Sequence, residues 1–222
     1  MPTKIEKVTN LFEAYRNERE AGPMTKYMKN HFPFLGIKSP IRKELEKVFF
    51  KETGILKEPF DQEFILELWE KDEREYQYMA LTYIEKSLKK LQKGDLALME
   101  RLVLEKSWWD TVDAIAAKAV GKIAEKFPEI IEETIDDWAE HDNLWLRRTA
   151  ILFQLKYKEI TDEERLYRYI SSNSDSKEFF IQKAIGWALR EYSKTNPSSV
   201  KQFINENSLA PLSVREGSKY VD

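Results

Sequence analysis

Apolar residues along this chain recur at helical spacing, and no stretch alternates with the period of two expected of a half-buried strand. From Ser107 onward, "SWWDTVDAIAAKAVG" carries Val112, Ile115, Ala116, Ala119 and, just past it, Ile123 on one stripe. Ile181, Ala184, Ile185, Ala188 and Tyr192 form another. The pattern repeats. An alanine followed by Leu or Ile stands at Ala80-Leu81, Ala114-Ile115, Ala150-Ile151 and Ala184-Ile185, at spacings of 34, 36 and 34. A bulky apolar residue precedes each pair (Tyr76, Trp109, Trp145, Phe180), and Tyr83, Ala117, Phe153 and Trp187 follow three residues after the alanines. Helical patterns such as "FDQEFILELWEK" and "EIIEETIDDWAEH" stand upstream of these units. Gly22-Pro23, Gly54, Gly94, Pro128, Pro197 and Pro211 read as joints. The expectation is all-α: a single domain over residues 1–222, built as an α-solenoid of stacked helix pairs with a concave face. Such arrays recognise polymers or partners, so the repeat by itself does not specify an enzyme.

Stepping about 100° per residue separates look-alike side chains. Trp108 falls inside the apolar stripe, Trp109 on its edge, Asp113 just beyond, and Asp110 nearly opposite, toward solvent. Trp109 and Asp113 are i and i+4, hence neighbours. The pair is either a site or a well-anchored helix start with a solvated acid. In "LWLRRTAILFQLKYK", Arg147 groups with Gln154 and Lys158 on a polar strip, whereas Arg148 falls between Leu152 and Leu155. A guanidinium among apolar neighbours needs a partner, either an internal carboxylate or a phosphate. On the last repeat, Lys183, Arg190 and Lys194 share a strip that Trp187 borders. That indole either fills a groove at the core edge or faces a sugar or base beside a phosphate.

Composition narrows the chemistry. There is no cysteine, which removes disulfides and thiolate catalysis, and only His31 and His141 are present, so no metal site is expected. No organic cofactor is suggested. No apolar run approaches the roughly 20 residues of a membrane span, and the amphipathic, acid-containing N-terminus does not read as a signal peptide, so the expected compartment is the cytoplasm. The net charge of −3 conceals segregation. Residues 24–43 contain Lys26, Lys29, Lys38, Arg42 and Lys43 without an acid; residues 144–158 contain Arg147, Arg148, Lys156 and Lys158 without an acid. Residues 121–142 hold eight acids against Lys122 and Lys126. A basic face backed by an acidic one fits a polyanion binder, although a randomly dipolar surface is the bland alternative.

"KYMKNHFPFLGIKSP", "SWWDTVDAI", "LWLRRTAILFQLKYK" and "SKEFFIQKAIGWALREYSKTNP" together resemble the AlkD-type DNA alkylation repair glycosylases, bacterial proteins of HEAT-like helical repeats. The resemblance implies excision of cationic alkylpurines, chiefly 7-methylguanine and 3-methyladenine, from duplex DNA. It implies Asp113 as the catalytic carboxylate, Trp109 and Trp187 lining the sugar, and Arg148 at the DNA backbone. It further implies recognition through backbone and shape rather than by base flipping. The other expected DNA contacts are Tyr27, Lys38, Lys156, Lys158, Lys183, Arg190 and Lys194. Lys38 stands where the family pattern commonly has glutamine, a departure that bears on a contact to the opposite strand. A monomer is expected. No lysine stands beside Trp109 and Asp113 in helix angle, which favours a monofunctional hydrolase over Schiff-base chemistry. The rivals are a non-catalytic DNA- or RNA-binding repeat protein, which has no use for a carboxylate in an anion's cleft, and a protein scaffold, which has no use for the acid-free blocks.

Overall fold

The structure, a computed structural model, describes residues 2–221. The regular elements of those residues are all helices, with no strand among them. The chain forms two compact units, residues 1–90 and 91–222. No helix among the described residues is long and apolar enough to cross a membrane.

The first unit comprises α1 (Lys4–Glu13), α2 (Glu18–Tyr27), α3 (Ser39–Thr53), α4 (Gln62–Glu70) and α5 (Arg74–Lys86). Thr3 opens α1 with a capping box, its hydroxyl taking the Glu6 N–H while the Glu6 side chain takes the Thr3 N–H. Asn17 and Asp61 cap α2 and α4 in the ordinary way. Gly22-Pro23, expected as a joint, lies inside α2. Pro23 forgoes one intrahelical bond, to the Arg19 carbonyl, in a short helix with no buried residue, where little packing depends on it. The core is aromatic: Phe12 stacks on Tyr76 at 5.6 Å, and Phe49 stacks on Phe64 at 5.5 Å, which meets Tyr83 edge-on.

Between α2 and α3 the irregular stretch around "FLGI" is held by one buried acid. The Glu75 carboxylate accepts the backbone N–H groups of Leu35, Gly36 and Ile37 at 2.9, 3.0 and 3.0 Å. Burial pushes this carboxyl up, and those three donors pull it back. Gly36 sits at φ +85°, and a Cβ there would lie 2.1 Å from the Asn17 carbonyl oxygen and 2.8 Å from the Ala21 nitrogen. Both obstacles are backbone and cannot swing away. Gly36→Ala is therefore expected to destabilise the protein by about 2–4 kcal/mol, read as a lower urea midpoint.

The second unit contains α6 (Asp95–Leu104), α7 (Trp109–Ala114), a π-helical segment (Ile115–Val120) and α8 (Gly121–Lys126) in direct continuation. A second π segment (Ile131–Ile135) runs into α9 (Asp136–Trp138). Then come α10 (Leu144–Leu152), α11 (Glu163–Ser172), α12 (Phe179–Tyr192), α13 (Pro197–Glu206) and α14 (Pro211–Gly217). Helix α10 packs on α7 and its π continuation on one side and on α12 on the other, so three of the sequence repeats are stacked layers. The expected stripe of Val112, Ile115, Ala116, Ala119 and Ile123 is buried, and so are Ile181, Ala184, Ile185 and Ala188 of the other, whereas Tyr192, expected with them, is half-buried and donates its hydroxyl to Glu163.

The π segment was not visible in a 3.6-residue reading. At its end Gly121 lies against α10's exit: a Cβ there would meet the Phe153 carbonyl oxygen at 2.5 Å, and Tyr157 donates its hydroxyl to the Gly121 carbonyl at 2.6 Å. Widening the helix gives that carbonyl to a tyrosine.

Candidate active site

Helices α7, α10 and α12 line one open pocket of about 370 Å³. Trp109 and Asp113 enter from α7, Arg148 from α10, and Phe179, Phe180, Lys183, Trp187 and Arg190 from α12. Glu216 of α14 completes the lining. Four residues singled out by repeat phase and helix angle (Trp109, Asp113, Arg148, Trp187) thus share one site, with two of the three strip cations.

Asp113 and Arg148 form a bidentate pair. Arg148 Nε and Nη2 donate to Asp113 Oδ1 and Oδ2 at 2.6 and 2.8 Å, and Nη1 donates to the Phe180 carbonyl. The Arg148 side chain is 5% exposed and that of Asp113 is 13% exposed. Of the two partners left open for Arg148, the structure supplies the internal carboxylate. Burial pushes the Asp113 carboxyl up; Arg148 opposes it through hydrogen bonds and charge, and nearby Asp110 adds to the rise. Each carboxylate oxygen keeps a second lone pair after accepting from Arg148.

An aromatic wall backs this pair. Phe180 meets Trp108 at 4.9 Å in a T-shaped contact and Trp145 at 5.0 Å, and the two indoles lie 5.8 Å apart. The wall fixes the backbone at Phe180, whose carbonyl in turn holds Arg148. Trp108 is half-buried in it, at the N-cap of α7, rather than in the deep core. Asp110, expected in solvent, is half-buried too, because α7 begins at Trp109 and its first turn is enclosed.

Other expectations moved. Gln154 is buried, exchanging hydrogen bonds with the Asp162 backbone at 2.8 and 3.2 Å, and Arg147 is only partly exposed. Their grouping with Lys158 assumed that α10 continues, whereas it ends at Leu152 and Lys158 has φ +51°. Lys158 and Lys194 instead line a separate hollow of about 250 Å³ with Glu159, Glu191 and Tyr192, where Lys194 pairs with Glu191 at 2.6 Å. Lys156 is exposed. In the first unit, Tyr27 ends α2 with 69% exposure, and Lys38 caps α3 while pairing with Glu20 at 2.8 Å. No lysine shares the Trp109–Asp113 face in helix angle along α7, but Lys183 lines the same pocket from α12, which an angle count along α7 does not register.

Phe179 and Glu216 escaped the sequence reading. Phe179 precedes the repeat alanine by five residues and is 57% exposed. Glu216 reaches the pocket because α14 lies unusually close to α12. A Cβ at Gly186 would be 2.6 Å from the Glu216 Cβ, and one at Gly217 would be 3.0 Å from the Leu189 Cβ. The two glycines inside helical pattern were the available signal of that close approach.

The fold and this pocket describe a helical-repeat protein with an arginine-paired acid among indoles and cations. The chain belongs to the DNA alkylation repair enzyme family, whose model matches residues 8–221, and this gives it a role in DNA alkylation repair. It is similar to the solved structure of a predicted DNA alkylation repair enzyme from Enterococcus faecalis, at 37% identity and TM-score 0.85, covering 93% of this chain and 96% of that one. The crystal structure of smu.31 from Streptococcus mutans UA159 shares the fold at 21% identity and TM-score 0.57, covering 82% and 98%. Among curated proteins no match is found.

Proposed function

We propose that the protein is a monofunctional DNA glycosylase that hydrolyses the N-glycosidic bond of cationic alkylated purines, 7-methylguanine and 3-methyladenine, in duplex DNA. The observation that carries this reading is the Asp113 carboxylate, partly buried beside Trp109 and Trp187 in an open pocket with cations at its rim. A non-catalytic DNA binder gains nothing from such an acid, because it repels the backbone it faces.

Alkylation at N3 or N7 leaves the purine positively charged and already a good leaving group, so no acid has to protonate it. As the bond breaks, positive charge moves onto the deoxyribose. The Asp113 carboxylate stabilises that charge and orients the attacking water through its remaining lone pairs. Water adds its hydroxyl to the anomeric carbon and gives its proton to the Asp113 carboxylate, and the purine departs neutral with the electron pair of the broken bond. Trp109 and Trp187 turn their electron-rich faces to the cationic sugar and exclude solvent. Arg148 favours the ionised acid against burial and fixes its direction, while Lys183 and Arg190 meet the backbone. Lys183 is engaged in an ion pair with Glu216 at 3.3 Å, which a Schiff-base nucleophile would first have to leave.

The test is incubation with duplex DNA carrying 7-methylguanine, followed by chromatography of free base. Release of 7-methylguanine, with an abasic strand that stays intact until treated with alkali, is expected. DNA bound in a salt-dependent manner with no base released would leave the non-catalytic alternative standing. Strand scission with borohydride trapping would shift the chemistry to Lys183.

A further inference from the structure

Glu216 is an acid in the one part of this pocket where an anion is to bind, and it is surrounded. Lys219 Nζ lies 2.8 Å from its carboxylate, Lys183 Nζ 3.3 Å and Arg190 Nη1 3.4 Å. The acid is only 12% exposed, while Lys183, Arg190 and Lys219 are 39%, 29% and 47% exposed. The cations therefore remain open to an incoming ligand although their current partner is enclosed. The acid is not the only tie between α14 and α12. Ser213 donates its hydroxyl to the Gln182 carbonyl at 2.9 Å, and the contacts at Gly186 and Gly217 close the rest of the α12–α14 seam.

Three cations around one carboxylate leave a surplus of two positive charges. A carboxylate and a phosphodiester each carry one negative charge and accept from ammonium and guanidinium donors in the same way. We propose that Lys183, Arg190 and Lys219 form a backbone-phosphate site, that the Glu216 carboxylate fills it in the free protein, and that a bound duplex displaces the acid. The inference rests on the DNA-excision reading above and adds a built-in competitor to it. Lys219 and Lys183 hold the Glu216 carboxyl down at about 2, so it leaves the site as an anion exchanged for a phosphate, not by taking up a proton.

Such a competitor weakens binding to all duplexes alike and eases release of the abasic product, whose backbone still carries the phosphate.

The experiment is fluorescence anisotropy of an undamaged labelled duplex against protein over a range of NaCl, with thermal melts of each variant. Glu216→Gln keeps the side-chain volume and is expected to bind several-fold more tightly at low salt. Its plot of log K against log salt should be steeper by about 0.9, one further net charge released to a phosphate, so its advantage shrinks about three- to fourfold between about 50 and 200 mM. Lys219→Gln, at an exposed position, is expected to bind more weakly with a slope shallower by about 0.9. Equal or weaker binding by a Glu216→Gln protein that melts like wild type overturns the proposal. So does unchanged binding by Lys219→Gln, which decides the matter if Glu216→Gln fails to fold. Base release by the wild-type protein is scored separately, so loss of the competitor idea leaves the glycosylase reading intact, and the converse holds.

Discussion

Asp113→Asn is expected to slow single-turnover release of 7-methylguanine by about 10²–10³-fold, the usual cost of removing one preorganised charge from a transition state. Its affinity for duplex DNA is expected to stay level or rise. The amide keeps the shape and can still accept one hydrogen bond from Arg148, but it no longer opposes the sugar's positive charge. It also no longer repels phosphates, leaving Arg148 as an additional unneutralised cation in the pocket. Rate and affinity thus move in opposite directions, which general unfolding cannot imitate. The wild-type rate should carry an acid limb above the ordinary carboxylate value of 3.8, because burial raises Asp113 and activity needs the ionised form. A wild-type single-turnover rate in Asp113→Asn would remove this acid from the mechanism and, with it, the reason for preferring an enzyme.

Much of this site was legible in one dimension because it lies where the helical period is regular. Trp109 and Asp113 both precede the π segment at Ile115, and Arg148 and Trp187 both lie inside uninterrupted helix, so 100° steps placed each correctly against its stripe. The same arithmetic failed at Gln154 and Lys158, for which α10 had already ended, and at Lys194, which it grouped with Lys183 and Arg190 although α12 ends at Tyr192. What no angle count along one helix contains is which helices meet. That Lys183 and Asp113 line one pocket follows from the packing of α10 on α7 and on α12, and the place of Glu216 among the strip cations from the close approach at Gly186 and Gly217. The rare text "FLGI" is a related case: its geometry is set by Glu75, about 40 residues away in sequence, through three backbone hydrogen bonds. The alanine spacing gave the stacking of α7, α10 and α12, since a small residue at the same phase of successive helices lets each layer approach the next.

Arg148→Met is expected to lower stability at pH 7 by about 3–5 kcal/mol, because it leaves the Asp113 carboxylate enclosed without its counter-charge. Both side chains are largely buried, so water replaces little of what the guanidinium supplied. The pH dependence identifies the cause. Without Arg148, only burial and the Asp110 charge act on Asp113, and both raise its pKa. The folded variant then takes up a proton at a higher pH than the unfolded chain, so its stability rises as pH falls through that raised value. The gain is complete near the unfolded carboxylate value of about 3.9. Urea midpoints relative to wild type should therefore converge as pH is lowered from 7 toward 4. A deficit of constant size across that range would show that Arg148 is needed for its bond to the Phe180 carbonyl and its packing in the aromatic wall, not for holding Asp113 ionised. Excision gives the second readout. The acid limb of the rate profile should move to higher pH in Arg148→Met, with the plateau rate above it reduced less than in Asp113→Asn, because the reacting carboxylate is still present once it is ionised.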